Sequence, residues 1–304
     1  MTIEGMTPEL ASLLEENGYT TIESIAIASP QELVERVGLK GFNEEYARQI
    51  IASARACFKP EFITADKLPD MTKRLSTGSK ALDRLIGGGV ETRAITEVAG
   101  AFGSGKTQLC FTLSVNAVRD WKAGVLFMDT ESTFQKARLR EISEALGLDA
   151  GKILSEISYC EIYNSSHLLL MLEAANKVIK DRNIKLLIID SLIAPFRSEY
   201  TGRELLWFRQ QKLNACLRRL INYAKIYNLA VVVTNQVVST PQIHYGVHFD
   251  APTGGNIMAH AGTLRLYLRK AQGNRRVARV IDSSWLPENE CVFAIGRRGV
   301  CDVE

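Results

Sequence analysis

No stretch of the 304-residue chain holds the ~18 consecutive apolar residues that a membrane-spanning helix needs. The first ten residues are acidic and contain no apolar run, so no secretory signal is expected. None of the six cysteines (57, 110, 160, 216, 291 and 301) stand in a C-x-x-C pair. Neither a zinc site nor a disulfide framework is expected, and the thiols read as reduced groups of an intracellular protein. Histidine is scarce, with four in all, and Gly246 between His244 and His248 argues against a helix that aims both at a metal. Charge of one sign is not in excess either. A formal net charge of +3 is too small to make the whole surface a polyanion binder.

What is present begins with a core. Apolar residues make up 46% of the chain, as in globular proteins, and the length allows one to three domains. The organising stretch is Gly100-Ala101-Phe102-Gly103-Ser104-Gly105-Lys106-Thr107, which fits the phosphate-cradling pattern G-x-x-x-x-G-K-[ST]. Its glycines let backbone N–H groups converge on phosphate oxygens, because no Cβ blocks the approach. Lys106 can reach the outer phosphates and Thr107 can offer its hydroxyl to Mg²⁺. A buried strand reads before the loop (94–99) and a helix after it (106–119), the order the motif requires. The plainer alternative is an ordinary glycine-rich strand-to-helix turn.

Residues 1–58 form a separate helical domain, with helices expected over 8–17, 30–37 and 43–57. The run from Val37-Gly38-Leu39-Lys40-Gly41-Phe42 through Ala47, Ile50 and Ile51 resembles a helix-hairpin-helix module, in which turn amides hold a DNA phosphate. A small bundle that binds only protein is the alternative. Residues 59–74, with Pro60 and Pro69, read as a linker. Within it Phe62 and Ala65 have the spacing of a strand that adds to a neighbour's sheet edge and fills two pockets, although packing on its own domain is the simpler reading.

From residue 75 to 304 strands alternate with helices. Apolar runs at 94–99, 125–128, 186–189 and 231–233 alternate with helical patterns at 106–119, 136–146, 166–182 and 204–227. This is an α/β core with a mainly parallel sheet and helices on both faces. Ligands of such sheets sit beyond the carboxyl ends of the strands. Those ends deliver the glycine loop, then Asp129-Thr130-Glu131, Asp190-Ser191 and Thr234-Asn235-Gln236. Asp190 is the candidate for Mg²⁺ beside Thr107. Glu131 is favoured to orient or deprotonate an attacking water, with Asp129 as its competitor. Gln236 cannot act as a base, but it can hydrogen-bond a γ-phosphate. The expected reaction is ATP hydrolysis by in-line attack of water. Residues 237–261 read as an irregular loop, followed by strands at 263–270, 275–281 and 290–295 with a Gly273-Asn274 hairpin turn. Arg and Lys cluster at 197–219 and 265–298, which marks either a local polyanion site or a solvated face.

Taken together, these motifs are similar to those of the archaeal RadA recombinases, members of the RecA-like superfamily of DNA strand-exchange ATPases. The resemblance is carried by Leu75-Ser76-Thr77-Gly78-Ser79, Gly87-Gly88-Gly89-Val90-Glu91-Thr92, the glycine loop and Asp129-Thr130-Glu131. It continues through Leu187-Ile188-Ile189-Asp190-Ser191, Phe196-Arg197-Ser198-Glu199-Tyr200, Arg209-Gln210-Gln211-Lys212-Leu213, Thr234-Asn235-Gln236-Val237, Gly254-Gly255-Asn256 and Leu268-Arg269-Lys270. It implies a RecA-like P-loop ATPase core behind a helix-hairpin-helix domain, ATP and Mg²⁺ as cofactors, and catalysis by Glu131, Lys106 and Gln236. Nucleotide contacts would come from residues 100–107, Gln108 and Arg138, the last at the adenine. DNA contacts would come from Arg197, Arg203 and Arg209 in a first loop and Gly254, Gly255 and Asn256 in a second. Phe62 and Ala65 become an oligomerisation motif, and the protein a homo-oligomeric filament or ring on single- and double-stranded DNA. The implied location is the nucleoid in the cytoplasm, with recombination mediators as further partners.

Some positions depart from the family pattern. The first loop continues Gly202-Arg203-Glu204-Leu205-Leu206-Trp207-Phe208, where the family has a second glycine and small residues. The cap over the neighbour's nucleotide is Asp282-Ser283-Ser284-Trp285 and lacks the family's proline. Two activities follow: a working strand-exchange enzyme, or a divergent paralogue that loads or tunes another recombinase.

Overall fold

The computed structural model describes residues 3–19, 21–57, 64–202, 204–244, 247–252 and 264–303. Contacts divide the chain into two compact units, Met1–Asp70 and Met71–Glu304.

The first unit is helical: α1 (Pro8–Glu16), α2 (Ile22–Ala26), α3 (Pro30–Val37) and α4 (Glu44–Cys57). Each start follows local chemistry. Thr7 and Ser29 accept from the amides of Leu10 and Glu32, each just before a proline that opens the helix. No sequence period announces α2, whose five residues are too few to show one. A reciprocal Thr21–Ser24 cap specifies it instead. Leu10, Leu14, Ile25, Leu33, Ala47, Ile50 and Ala54 form the core. Between α3 and α4 the turn is bracketed by Gly38 and Gly41, both at positive φ. The Tyr46 hydroxyl donates to the Gly5 carbonyl at 2.7 Å and ties α4 to the first turn of the unit. A short 3-10 turn, Ala65–Lys67, ends the unit, with Ala65 exposed.

The second unit opens with β1 (Arg74–Leu75), α5 (Lys80–Leu85) and β2 (Val90–Glu91). It continues with β3 (Ile95–Gly100), α6 (Lys106–Asn116), a π-helical turn (Ala117–Trp121), β4 (Gly124–Asp129), α7 (Lys136–Ala145), α8 (Ala150–Ser155) and β5 (Ile157–Glu161). Then come α9 (Ser165–Asp181), β6 (Ile184–Asp190), α10 (Ala194–Glu199), α11 (Leu206–Tyr227) and β7 (Ala230–Asn235). The chain closes with β8 (Val237–His244), β9 (Val247–Pro252), β10 (Leu264–Lys270), β11 (Arg275–Ser283), β12 (Glu290–Gly296) and β13 (Gly299–Cys301).

A nine-stranded sheet runs β13-β12-β11-β10-β3-β7-β6-β4-β5. Every pair from β10 to β5 is parallel, and β11, β12 and β13 extend it antiparallel. The central strands alternate between two apolar layers. Val125, Phe127, Leu186 and Ile188 face α6 and α7, while Leu126, Met128, Leu187 and Ile189 face α9 and α11. Burial on both faces explains why these strands read as unbroken apolar runs. β5 and β13 are the outer strands.

The expectation of an irregular segment after residue 236 is corrected: β8 and β9 form an antiparallel ribbon. Its register shifts between Val238 and Pro241, which breaks the alternation a strand would display along the sequence. His244 and His248 pair with Val247 and Ile243, so they stand on a hairpin and not on a helix.

Candidate nucleotide site and its surroundings

The glycine loop joins β3 to α6. A Cβ on Gly100 would lie 2.4 Å from the Leu268 carbonyl oxygen, so glycine is what lets β10 close against the loop's root. Gly103 and Gly105 have φ of 75° and 106°, which point successive amides into the concavity. The Ser104 hydroxyl is buried and has no hydrogen-bond partner among the described residues. An orphaned hydroxyl inside a glycine nest is the feature expected where a phosphate belongs. Lys106 Nζ folds back to the carbonyls of Gly100 (2.8 Å) and Ala101 (3.1 Å). Burial lowers its pKa, opposed by the Asp190 and Glu131 carboxylates. Phe102 is exposed at the loop tip.

Asp190 ends β6 and is buried. Thr107 donates to its Oδ2 at 2.7 Å, and Thr234 from β7 donates to Oδ1. Burial raises the Asp190 pKa, while the two hydroxyl donors pull it down. An acid held against the first helical threonine fits a divalent-ion site bridged to phosphate. The Asp190–Ser191 peptide is cis. Thr130 binds both the amide and the carbonyl of Ser191, so the ends of β4 and β6 form one rigid floor.

Asp129 is fully buried. Its Oδ1 accepts the Glu131 amide at 3.0 Å and its Oδ2 the Phe134 amide at 2.8 Å. Both oxygens therefore shape the turn. Glu131 is the carboxylate that reaches across the site, where its Oε1 accepts Gln236 Nε2 at 2.7 Å. Lys106, Thr107, Glu131, Asp190 and Gln236 thus converge from the ends of β3, β4, β6 and β7.

Arg138 lies on the loop's flank. It donates to Gln108 Oε1 (2.8 Å), Glu141 (2.6 Å) and the Gly296 carbonyl (2.5 Å), so it locks α7 to the first turn of α6 and the end of β12.

The structure also shows residues that pattern reading passed over. Glu97, in the middle of β3, is fully buried. It accepts Asn235 Nδ2 at 2.7 Å and Arg265 Nε at 2.6 Å. Asn235 and Arg265 flank the whole 236–264 segment, so one buried carboxylate ties both of its roots. A charge within an apolar strand was the available signal. Arg276 is the other: its Nε is buried without a partner among the described residues and approaches Gly105 from β11.

Arg197 is exposed on α10 and Arg209 is half-buried on the first turn of α11. Glu204 folds back over Gly202. Lys212 lies over the Tyr200 ring, 5.3 Å from its centroid. Arg203, Gly254, Gly255, Asn256 and Phe62 lie outside the described residues. Much of the 265–298 cluster is internally neutralised: Arg265, Arg269, Arg279 and Arg297 pair with Glu97, Glu290, Glu288 and Glu141. Trp285 packs on the chain's own Gly87, beneath Arg74. Burial pushes the Cys110 thiol up, Cys216 to about 12 and Cys291 to about 11, which keeps all three protonated and unreactive. Among the described residues no helix is long and apolar enough to cross a membrane.

Two comparisons relate the chain to known proteins. The family model described as Rad51 matches residues 69–303. A curated protein of Aeropyrum pernix, the DNA repair and recombination protein RadA, is 42% identical over 310 aligned positions, which cover 99% of this chain and 96% of that one.

Proposed function

The chain belongs to the Rad51 family, and on that premise we propose that it is a DNA-dependent ATPase that assembles on single-stranded DNA and promotes homologous pairing and strand exchange in recombination and repair. The observation that carries this reading is the Glu131–Gln236 hydrogen bond at 2.7 Å. It links the candidate water-activating acid to the first residue of the segment that would meet DNA.

The amides of residues 101–107 would hold the phosphates of ATP, with Lys106 neutralising the outer ones. Thr107 and Asp190 would hold Mg²⁺, which when bound draws charge off the β- and γ-phosphates. Glu131 accepts the proton of the attacking water. Gln236 reads the γ-phosphate through its amide and, being continuous with β8, passes that state to the hairpin. Arg138 and Gln108 wall the nucleotide's flank. Backbone contacts from Arg197, Arg203, Arg209, Gly254, Gly255 and Asn256 would make DNA binding strongly salt-dependent. Sequence would be read by base pairing between strands.

Glu131→Gln is expected to lower ATP turnover about 10²–10⁴-fold while nucleotide affinity stays near wild type. Turnover within a few-fold of wild type would return the role to another group.

Oligomerisation would dock Phe62 and Ala65 on the neighbour's β5, an outer strand of the sheet, with Ala65, which opens a 3-10 turn in this chain, extending as the strand adds. Phe62→Ala is expected to shift light-scattering profiles to shorter assemblies. An unchanged particle size rejects that docking.

A second reading, a mediator that loads or tunes another recombinase, draws on the Glu204 and Trp285 departures. Joint-molecule formation between single-stranded DNA and a homologous duplex separates the two. The enzyme reading requires product with ATP and this protein alone. DNA binding with product only after a second recombinase is added selects the mediator.

A further inference from the structure

At the start of α11, Trp207 and Phe208 form an edge-to-face pair with ring centroids 4.8 Å apart. Trp207 is 62% exposed and Phe208 49% exposed. Adjacent aromatic rings left in water forgo a large burial gain, so such a patch marks a surface that something covers. Its surroundings say what. Lys212 is four residues beyond Phe208 and so shares its helix face, with its ammonium over the Tyr200 ring. Arg209 is on the next residue of the same turn, and Arg197 is exposed on α10, which precedes this loop. Of the nearby acids, Glu199 spends both oxygens on the amide and hydroxyl of Ser165, and Glu204 lies back over Gly202. Rings with cations beside them, and one nearby carboxylate already engaged, complement a ligand that is both planar-aromatic and polyanionic.

We propose that the Trp207–Phe208 pair is a stacking platform for the bases of single-stranded nucleic acid, with Arg197, Arg209 and Lys212 drawing in its phosphates. The proposal rests on the DNA-binding reading above and adds to it. A backbone-only contact is indifferent to the presence of bases, whereas a stacking platform requires them. The face is open to bases of any sequence, because every base presents a π-surface.

The test uses the full chain, a fluorescein-labelled poly-thymidine oligonucleotide, and an abasic oligonucleotide of equal length. Poly-thymidine is expected to quench tryptophan emission, and Trp207→Phe to remove that part of the quenching while keeping the affinity. Trp207→Ala should weaken poly-thymidine binding about tenfold and leave abasic binding unchanged. Its melting temperature should match wild type, because the residue is exposed. Equal affinity of Trp207→Ala and wild type for poly-thymidine overturns the proposal. So does equal quenching by the two oligonucleotides, or an emission change on protein self-association with none on DNA, which would assign the patch to a neighbouring protomer. If poly-thymidine binds with Trp207 emission unaltered, only the stacking fails. If wild type binds neither oligonucleotide, the DNA-binding reading fails with it.

Discussion

Lys106→Ala is expected to reduce ATP turnover by at least about 100-fold and to abolish nucleotide-dependent assembly. The ammonium is the cation most deeply committed to the loop, held at 2.8 Å and 3.1 Å by the carbonyls of Gly100 and Ala101. Two carboxylates, Asp190 and Glu131, lie near enough to act on its pKa. Without the ammonium, less positive charge stands between those carboxylates and the phosphates, so substrate binding and charge stabilisation weaken together. The measurement is phosphate release with and without single-stranded DNA, alongside light scattering with ATP. Turnover within tenfold of wild type would remove Lys106 from the mechanism. A melting temperature equal to wild type is also expected, since the change removes a partly desolvated charge and leaves the apolar core untouched.

Glu97→Ala is expected to destabilise the second unit by about 3–5 kcal/mol, because it strands the Arg265 guanidinium inside the sheet. For a chain of this size that corresponds to a fall in melting temperature of roughly 10 °C. The contacts are short, with half-buried Arg265 Nε at 2.6 Å and buried Asn235 Nδ2 at 2.7 Å on a carboxylate with no solvent exposure. The companion variant, Glu97→Ala with Arg265→Met, removes the stranded charge and should recover most of the loss. An unchanged melting temperature for the single variant, or no recovery in the double, would show that the pair carries little. The position of Asn235 and Arg265 at the two roots of the 236–264 segment adds a second expected effect. DNA stimulation of ATP turnover should fall further than basal turnover, since Gln236 is the neighbour of Asn235.

The parts legible along the chain were those whose physics is local. The glycine loop shows because φ near 75° and 106° and contact with a carbonyl oxygen select glycine at Gly103, Gly105 and Gly100. The β4, β6 and β7 strands show because burial on both faces leaves an unbroken apolar run. Short or irregular elements did not show. α2 has too few residues for a period, and β8 hides its alternation behind a register shift near Pro241. β5, an outer strand with mixed burial, carries no continuous apolar signal.

By itself, then, the sequence determined the α/β class, the phosphate loop and the polar residues at the strand ends, because each follows from a neighbour-to-neighbour constraint of backbone geometry or burial. The sequence already favoured Glu131 over Asp129 for an attacking water, and the tertiary structure added what Asp129 does instead, which is to spend both oxygens on turn amides. The Glu97 tie between Asn235 and Arg265 and the Trp207–Phe208 pair needed the tertiary structure. Which oxygens are spent and which rings stay in water depends on the packed fold, and Glu97, Asn235 and Arg265 meet only because the folded sheet brings distant positions together.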